Sequence, residues 1–233
     1  LKSGVVRFIP ICNPRAYELD CRYVTEDLNR MFYEGRGVVS SYERTLAREI
    51  MQEMDRSHFV LDLHSFSSGV DAFAFQDTQD DETRSFVSAL GISPIFTGWD
   101  SMYAEDNSGT TITYVNKIGK IGACIECGQH RDPHSVEVAY QAIINAMNYL
   151  GIIETDKTSQ PEELKRVQMH SYLPKLDGDF VKNWMNMDPV QEGEVVAVLK
   201  SGVSVKSPCS GYVIMPDAQA KAGAEWLYYG TDG

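Results

Sequence analysis

Phe59-Val60-Leu61-Asp62-Leu63-His64-Ser65 and Ile121-Gly122-Ala123-Cys124-Ile125-Glu126-Cys127-Gly128 are the stretches on which the reading of this sequence turns. Each is a short, mostly apolar run that ends in a residue able to do chemistry, as a buried strand does when it delivers a side chain to its carboxyl end. Helical spacing recurs around them. Leu46, Ala47, Ile50 and Met54 predict a helix over about 41–55, opened by a capping box of Ser40 and Glu43. Asp81 to Leu90 reads as a second helix. Ser108 to Ile118 reads as a third, because Ile112, Val115 and Ile118 recur at helical spacing against the strand preference of its threonines. His134 to Leu150 is a fourth, with Val136, Tyr140, Ile143, Ile144 and Met147 on its apolar side. Val5 to Ile11 reads as a further buried strand, stopped by Asn13-Pro14, and Ala72 to Phe75 as a short one. This alternation predicts an α/β fold, a mixed sheet covered by helices, whose functional residues gather beyond the strands' carboxyl ends.

The composition changes after Ile153. Residues 154–166 are polar, acidic and carry a proline, as a connector does. From residue 167 to 233, short β-branched runs are punctuated by glycines, which predicts a small all-β domain beside an α/β domain of residues 1–153. Trp184, Met185 and Met187 are expected to pack inside it.

The chain has 233 residues, 43% of them hydrophobic, so it can bury a core. Its 33 acidic residues outweigh 21 basic ones, and the net charge of -12 repels phosphate backbones and argues against a nucleic-acid partner. No apolar run reaches the roughly 18 residues of a membrane span. Five cysteines, at 12, 21, 124, 127 and 209, are odd in number and scattered, unlike a secreted disulfide framework, so reduced thiols and a cytoplasmic setting are expected. The chain opens at Leu1, not at a methionine, and the expectation is that its true N-terminus lies upstream.

Three constellations could carry chemistry. Arg22 through Arg30 sets two arginines and Asn29 in one loop, and an arginine fork can hold a carboxylate through two parallel hydrogen bonds. The alternative is that Arg22 and Arg30 pair with Glu18, Glu26 or Asp27 on the surface. On the strand ending at His64, alternate residues share a face, so Asp62 can orient the imidazole as carboxylates do behind metal ligands. The alternative is a hydrogen-bonded histidine at a strand end. Glu126 ends an apolar strand, where partial burial would raise its pKa toward that of a general base. The alternative is a glutamate facing water. Cys124 and Cys127 are a weak metal signal, since three positions along a strand put them on opposite faces. His130 and His134 read as loop and helix-start residues, separated by Pro133.

Asn13-Pro14 with Ala16, Arg22-Tyr23, Asp27-Leu28-Asn29-Arg30-Met31-Phe32, Asp62-Leu63-His64-Ser65 and Glu126-Cys127-Gly128 occur in a characteristic order. In that order and spacing the chain resembles the succinylglutamate desuccinylase/aspartoacylase family of the zinc carboxypeptidase superfamily. The resemblance implies a zinc-carboxypeptidase-like sheet and a zinc-dependent hydrolase that cleaves the amide of an N-acyl amino acid or a similar small carboxylate. It implies that His64 is a zinc ligand, Glu126 the general base, Arg22 the carbonyl-polarising residue, and Asn29 with Arg30 the clamp on the substrate carboxylate. The family's other two zinc ligands form a His-x-x-Glu pair ahead of the first strand. The chain is read as holding no such pair, so the pair is expected upstream of Leu1. Two alternatives stay open, a metallocarboxypeptidase acting on peptides and a carboxylate-binding relative without metal; a homo-oligomer is possible in each case. The C-terminal region resembles biotinyl/lipoyl-like hammerhead folds through Val195 to Leu199, Ser207-Pro208 and Gly211-Tyr212-Val213. Lys200 and Lys206 lack a Met-Lys setting, so a structural or gating role is expected there rather than a swinging arm.

Overall fold

The computed structural model describes residues 4–33, 41–66, 71–78, 80–103, 109–156 and 163–233. In chain order the elements are α1 (Pro14–Glu18), a 3₁₀ turn (Leu28–Arg30), α2 (Tyr42–Asp55), β1 (Phe59–Phe66), β2 (Phe73–Phe75), α3 (Asp81–Ala89), β3 (Ile95–Thr97), α4 (Trp99–Met102), α5 (Thr111–Lys117), β4 (Ile121–Gln129) and α6 (Pro133–Tyr149). Strands alone follow: β5 (Arg166–Pro174), β6 (Asp179–Phe180), β7 (Asp188–Val190), β8 (Val195–Val198), β9 (Ser204–Lys206), β10 (Gly211–Ile214) and β11 (Glu225–Asp232).

One mixed sheet runs in the order β1-β4-β2-β3-β5-β11-β10-β7, and β6-β8-β9 form a second. β1 and β4 are parallel, β2 is antiparallel to β4, and β3 is parallel to β5, so the large sheet passes without interruption into the C-terminal strands. Helices cover the N-terminal part of this sheet on both faces. Phe86 and Val87 of α3 and Ala142 and Ala146 of α6 pack with Ala123, Ile125 and Cys127 on one face. Ala47, Ile50, Met51 and Met54 of α2 and Tyr114 and Val115 of α5 pack on the other, above Leu28 and Phe32. The C-terminal strands close over Trp184, Val196, Val213, Trp226 and Leu227.

The predicted helices are present, with three differences in detail. Ser41, not Ser40, caps α2 by accepting from the Arg44 N–H, and Ser40 lies outside the described residues. Glu43 is drawn instead into the loop before the helix. α6 turns only part of its apolar stripe inward: Val136 and Tyr140 are exposed and Ile143, Ile144 and Met147 half-buried, while Ala142 and Ala146 are buried against the sheet. Small side chains let the helix approach the strands closely, so close packing outweighs the larger apolar residues.

Val5 to Ile11 is the clearest miss. The segment forms no strand, and Val5, Phe8, Ile9 and Ile11 are all exposed. Its β-branched composition is that of a strand, yet residues 4–12 enter no ladder among the described residues, and without a ladder neither burial nor strand geometry follows. Met185, expected in the C-terminal core, is also exposed, although Trp184 beside it is buried.

Candidate active site

β1 and β4 build the site between them. Their parallel register sets Asp62 opposite Cys124 and His64 opposite Glu126, and side-chain alternation sends all four to the face covered by α2 and α5. Beyond this point the register slips, because Phe66 pairs with Gln129, so β4 carries one extra residue just after Glu126. Gly128 sits in that bulge with φ of +119°, and a Cβ there would come within 2.9 Å of the Ser135 hydroxyl oxygen. Bulges of this kind end pairing and re-aim side chains beside active sites.

His64 Nε2 and Asp62 Oδ2 are 2.8 Å apart. The same Asp62 oxygen accepts a short hydrogen bond from the Thr111 hydroxyl. The Asp62 charge, opposed by burial and helped by Glu126, lifts the His64 pKa to about 9. Burial works to raise the Asp62 pKa, but the charge and hydrogen bond of His64 and the bond from Thr111 hold it below the ordinary carboxylate value. Glu126 is pushed up to about 7, by burial above all and by the nearby Asp62, while His64 and Arg22 pull it down. Its Oε2 is buried and has no hydrogen-bond partner among the described residues. A buried carboxylate oxygen without a protein partner is placed to accept a proton or hydrogen bond from a molecule that enters the site.

The ligand atoms of Asp62, His64 and Cys124 lie within 4.8 Å of one another, a spacing found for no other such group among the described residues. Asp62 occupies one ring nitrogen of His64 and leaves the other open, which fits one imidazole ligand of a zinc ion with a carboxylate behind it; a catalytic zinc takes three protein ligands, and His64 is one of them. Cys124 is the residue that sequence reasoning missed. It stands two positions before Glu126 on one strand and so shares its face, a signal that comparison with Cys127 alone concealed. Its thiol pKa is raised well above the ordinary value by burial and by Asp62 and Glu126.

The Arg22–Arg30 loop is pinned by Glu43. Its fully buried carboxylate accepts from the Val24, Thr25 and Glu26 N–H groups, the Thr25 hydroxyl and the Asn13 amide. Arg44, also buried, donates to the carbonyls of Met31 and Tyr33 and lies 3.9 Å from the Tyr33 ring centroid. Arg22 bonds Asp27 through Nε at 2.9 Å and Nη2 at 2.8 Å, one of the surface pairings open from sequence. Its charge nevertheless reaches both His64 and Glu126. Asn29 Oδ1 accepts from the Thr111 N–H at 3.0 Å, and Arg30 Nη1 donates to the Asn29 carbonyl at 2.7 Å.

The remaining histidines stand apart. His130 Nδ1 is 2.8 Å from the Ser65 hydroxyl, on the sheet face opposite His64. Against the expectation that the chain holds no His-x-x-Glu spacing, it occurs once, at His134 and Glu137. Both residues are largely exposed on the first turn of α6, 3.3 Å from each other, so this pair does not complete the site.

A model of the succinylglutamate desuccinylase/aspartoacylase catalytic domain matches residues 2–150. The chain belongs to this family. No curated protein matches it in sequence. Among solved structures, this family member is similar to a succinylglutamate desuccinylase/aspartoacylase from Rhodobacter sphaeroides, with a TM-score of 0.78 and 17% identity over 97% of this chain and 74% of the other. It is similar to the product-bound ectoine utilization protein EutE (DoeB) from Ruegeria pomeroyi, with a TM-score of 0.77 and 17% identity over 96% and 74% of the two chains. Murine aminoacylase 3 follows with a TM-score of 0.64 and 19% identity over 94% and 82%. At such identities the likeness establishes the α/β fold with its C-terminal strands. Family membership makes the chain a deacylase of the desuccinylase/aspartoacylase type. No helix among its described residues is long and apolar enough to cross a membrane.

Proposed function

We propose that the chain is a zinc-dependent hydrolase that cleaves the amide bond of an N-acyl amino acid or a similar small carboxylate. The observation that carries this reading is Glu126, an unpartnered carboxylate with its pKa near 7 set in register beside an imidazole oriented by Asp62. His64 is the zinc ligand this chain supplies. Zinc, when bound, polarises the scissile carbonyl and lowers the pKa of a water to about 7. Glu126 takes the proton from the attacking water and returns it to the leaving amine. Arg22, which holds Asp27 through Nε and Nη2, steadies the developing oxyanion with its remaining guanidinium N–H groups. Arg30, with its guanidinium tethered at one nitrogen to the Asn29 carbonyl, holds the substrate carboxylate, and the Asn29 amide N–H group completes the clamp. Five unpaired cysteines suit a reducing cytoplasm, where small acylated amino acids would be the substrates.

The test is a hydrolysis assay of the full-length protein on N-acetyl and N-succinyl amino acids and on short peptides, with zinc and after chelation. Hydrolysis of N-acyl amino acids that is lost on chelation and regained with zinc is the expected result. Cleavage of peptides instead would make the chain a metallocarboxypeptidase, and carboxylate binding without turnover would make it a non-catalytic relative.

A further inference from the structure

We infer that Thr111 is a positioning residue that locks the imidazole of His64 to the loop carrying Asn29 and Arg30. Two of its groups act in opposite directions. The hydroxyl donates to Asp62 Oδ2, the oxygen that also meets His64 Nε2, and the backbone N–H donates to Asn29 Oδ1 at 3.0 Å. Thr111 is the first residue of α5 and is buried, so neither bond competes with bulk water. The junction is held from both sides. The Phe32 N–H donates to the Gly109 carbonyl at 3.1 Å, and a Cβ at Gly109 would come within 2.1 Å of the Phe32 carbonyl oxygen, so this contact requires glycine.

The consequence for Asp62 is geometric. A carboxylate that holds one imidazole N–H keeps its orientation through its other donors, and for Asp62 these are the neighbouring Leu63 N–H and, from across the site, the Thr111 hydroxyl. The consequence for Asn29 is one of inventory. Its side-chain oxygen is spent on Thr111, so the amide N–H group is what remains for a substrate carboxylate. Thr111 therefore sets, in one residue, the orientation of His64 and the direction in which Asn29 presents its donors. This inference rests on the proposed hydrolase reading for its kinetic arm only.

The experiment compares wild type with Thr111→Val and Thr111→Ser by two readouts. Proton NMR of the metal-free protein should show a downfield His64 Nε2–H resonance, protected from exchange, that is lost in Thr111→Val and retained in Thr111→Ser. Changes behind an oriented histidine typically cost 10–100-fold. Thr111→Val should accordingly lower kcat by roughly 10–100-fold with KM changed less than about 3-fold, and Thr111→Ser should restore kcat to within a few-fold. Wild type without activity on any N-acyl amino acid would overturn the proposed function, while the resonance arm would still decide on Thr111. A His64 resonance equally protected in Thr111→Val would overturn the positioning role. So would a kcat loss that Thr111→Ser does not recover although its circular dichroism spectrum is native, because the hydroxyl would then be irrelevant.

Discussion

Replacing Glu126 with Gln tests the candidate base in two independent ways. The substitution keeps size and hydrogen bonding and removes the ability to take a proton. General-base catalysis is worth ~10²–10⁴-fold, so kcat should fall by that order while zinc content stays the same. Stability supplies the second readout. In the folded chain the Glu126 pKa stands near 7 against an ordinary 4.5, chiefly because burial penalises the charge. Below pH 4.5 the carboxyl is protonated in folded and unfolded states alike, and glutamate and glutamine differ little. As pH rises, the unfolded chain ionises first and the folded one only through about 7, so the wild type loses stability across that window and the variant does not. The climb from 4.5 to about 7 corresponds to roughly 3 kcal/mol. Denaturant unfolding of metal-free protein should show Glu126→Gln more stable than wild type by about that amount at pH 8 and by almost nothing at pH 4. Parallel pH profiles would refute the claim that this carboxyl is held in a dry site. Activity within a few-fold of wild type would remove Glu126 from the chemistry, and loss of metal together with activity would move it into the coordination sphere.

Arg30→Lys should raise KM by about 10-fold with a smaller change in kcat, since an ammonium cannot reproduce a two-bond fork, and unchanged steady-state kinetics would take Arg30 out of the clamp. Glu43→Ala should destabilise the fold by about 1–3 kcal/mol, because it strands the half-buried Val24 and Glu26 donors and the Thr25 donors, and no measurable loss in urea unfolding would show that water replaces the carboxylate. The Glu43 carboxyl is held near 2, with hydrogen bonds from Thr25, Val24 and Asn13 outweighing its burial, so its contribution is complete above pH 4.5 and lost as pH falls toward 2. For His64, raised to about 9 by Asp62, the sign is opposite: its contribution is complete below pH 6.5 and disappears as pH rises through about 9. Asp62→Asn should flatten that alkaline loss in metal-free protein, and a preserved slope would assign it to another group.

What the sequence disclosed and what it withheld follow from the range of the forces involved. Asp62, His64 and Glu126 were legible because side-chain alternation along a strand is local, and two strand ends on one sheet bring their polar residues together. Helices α2, α3, α5 and α6 were legible from spacing, but the buried face of α6 was not, because the choice between large and small apolar residues is made by the distance to the sheet. Thr111 carried no signal at all. Its value lies in touching both Asp62 and Asn29, which are far from it along the chain. The role of Glu43 was hidden by a stronger local reading, for a glutamate early in a helix is expected to serve its own cap, and here it serves the preceding loop instead. Strand character in Val5 to Ile11 was read correctly as composition and wrongly as structure, since a strand exists only where a neighbour accepts its hydrogen bonds.

The position of β5 between β3 and β11 has a consequence for how the molecule comes into being. A ribosome releases the chain from its N-terminus, at roughly 5–20 residues per second. When β3 emerges, the strand that pairs with its open side has not yet been made, and the strand that pairs with β5 is the last of all, Glu225–Asp232. For several seconds of synthesis the growing chain must therefore carry an unpaired, apolar edge at Ile95 and Phe96, the kind of surface that chaperones hold and that aggregates nucleate upon. A product cut short between Cys127 and Glu225 would keep His64 and Glu126 in its sequence and still lack the finished sheet. Synthesis of Glu225–Asp232 is therefore the step that completes the large sheet to which β1 and β4 belong.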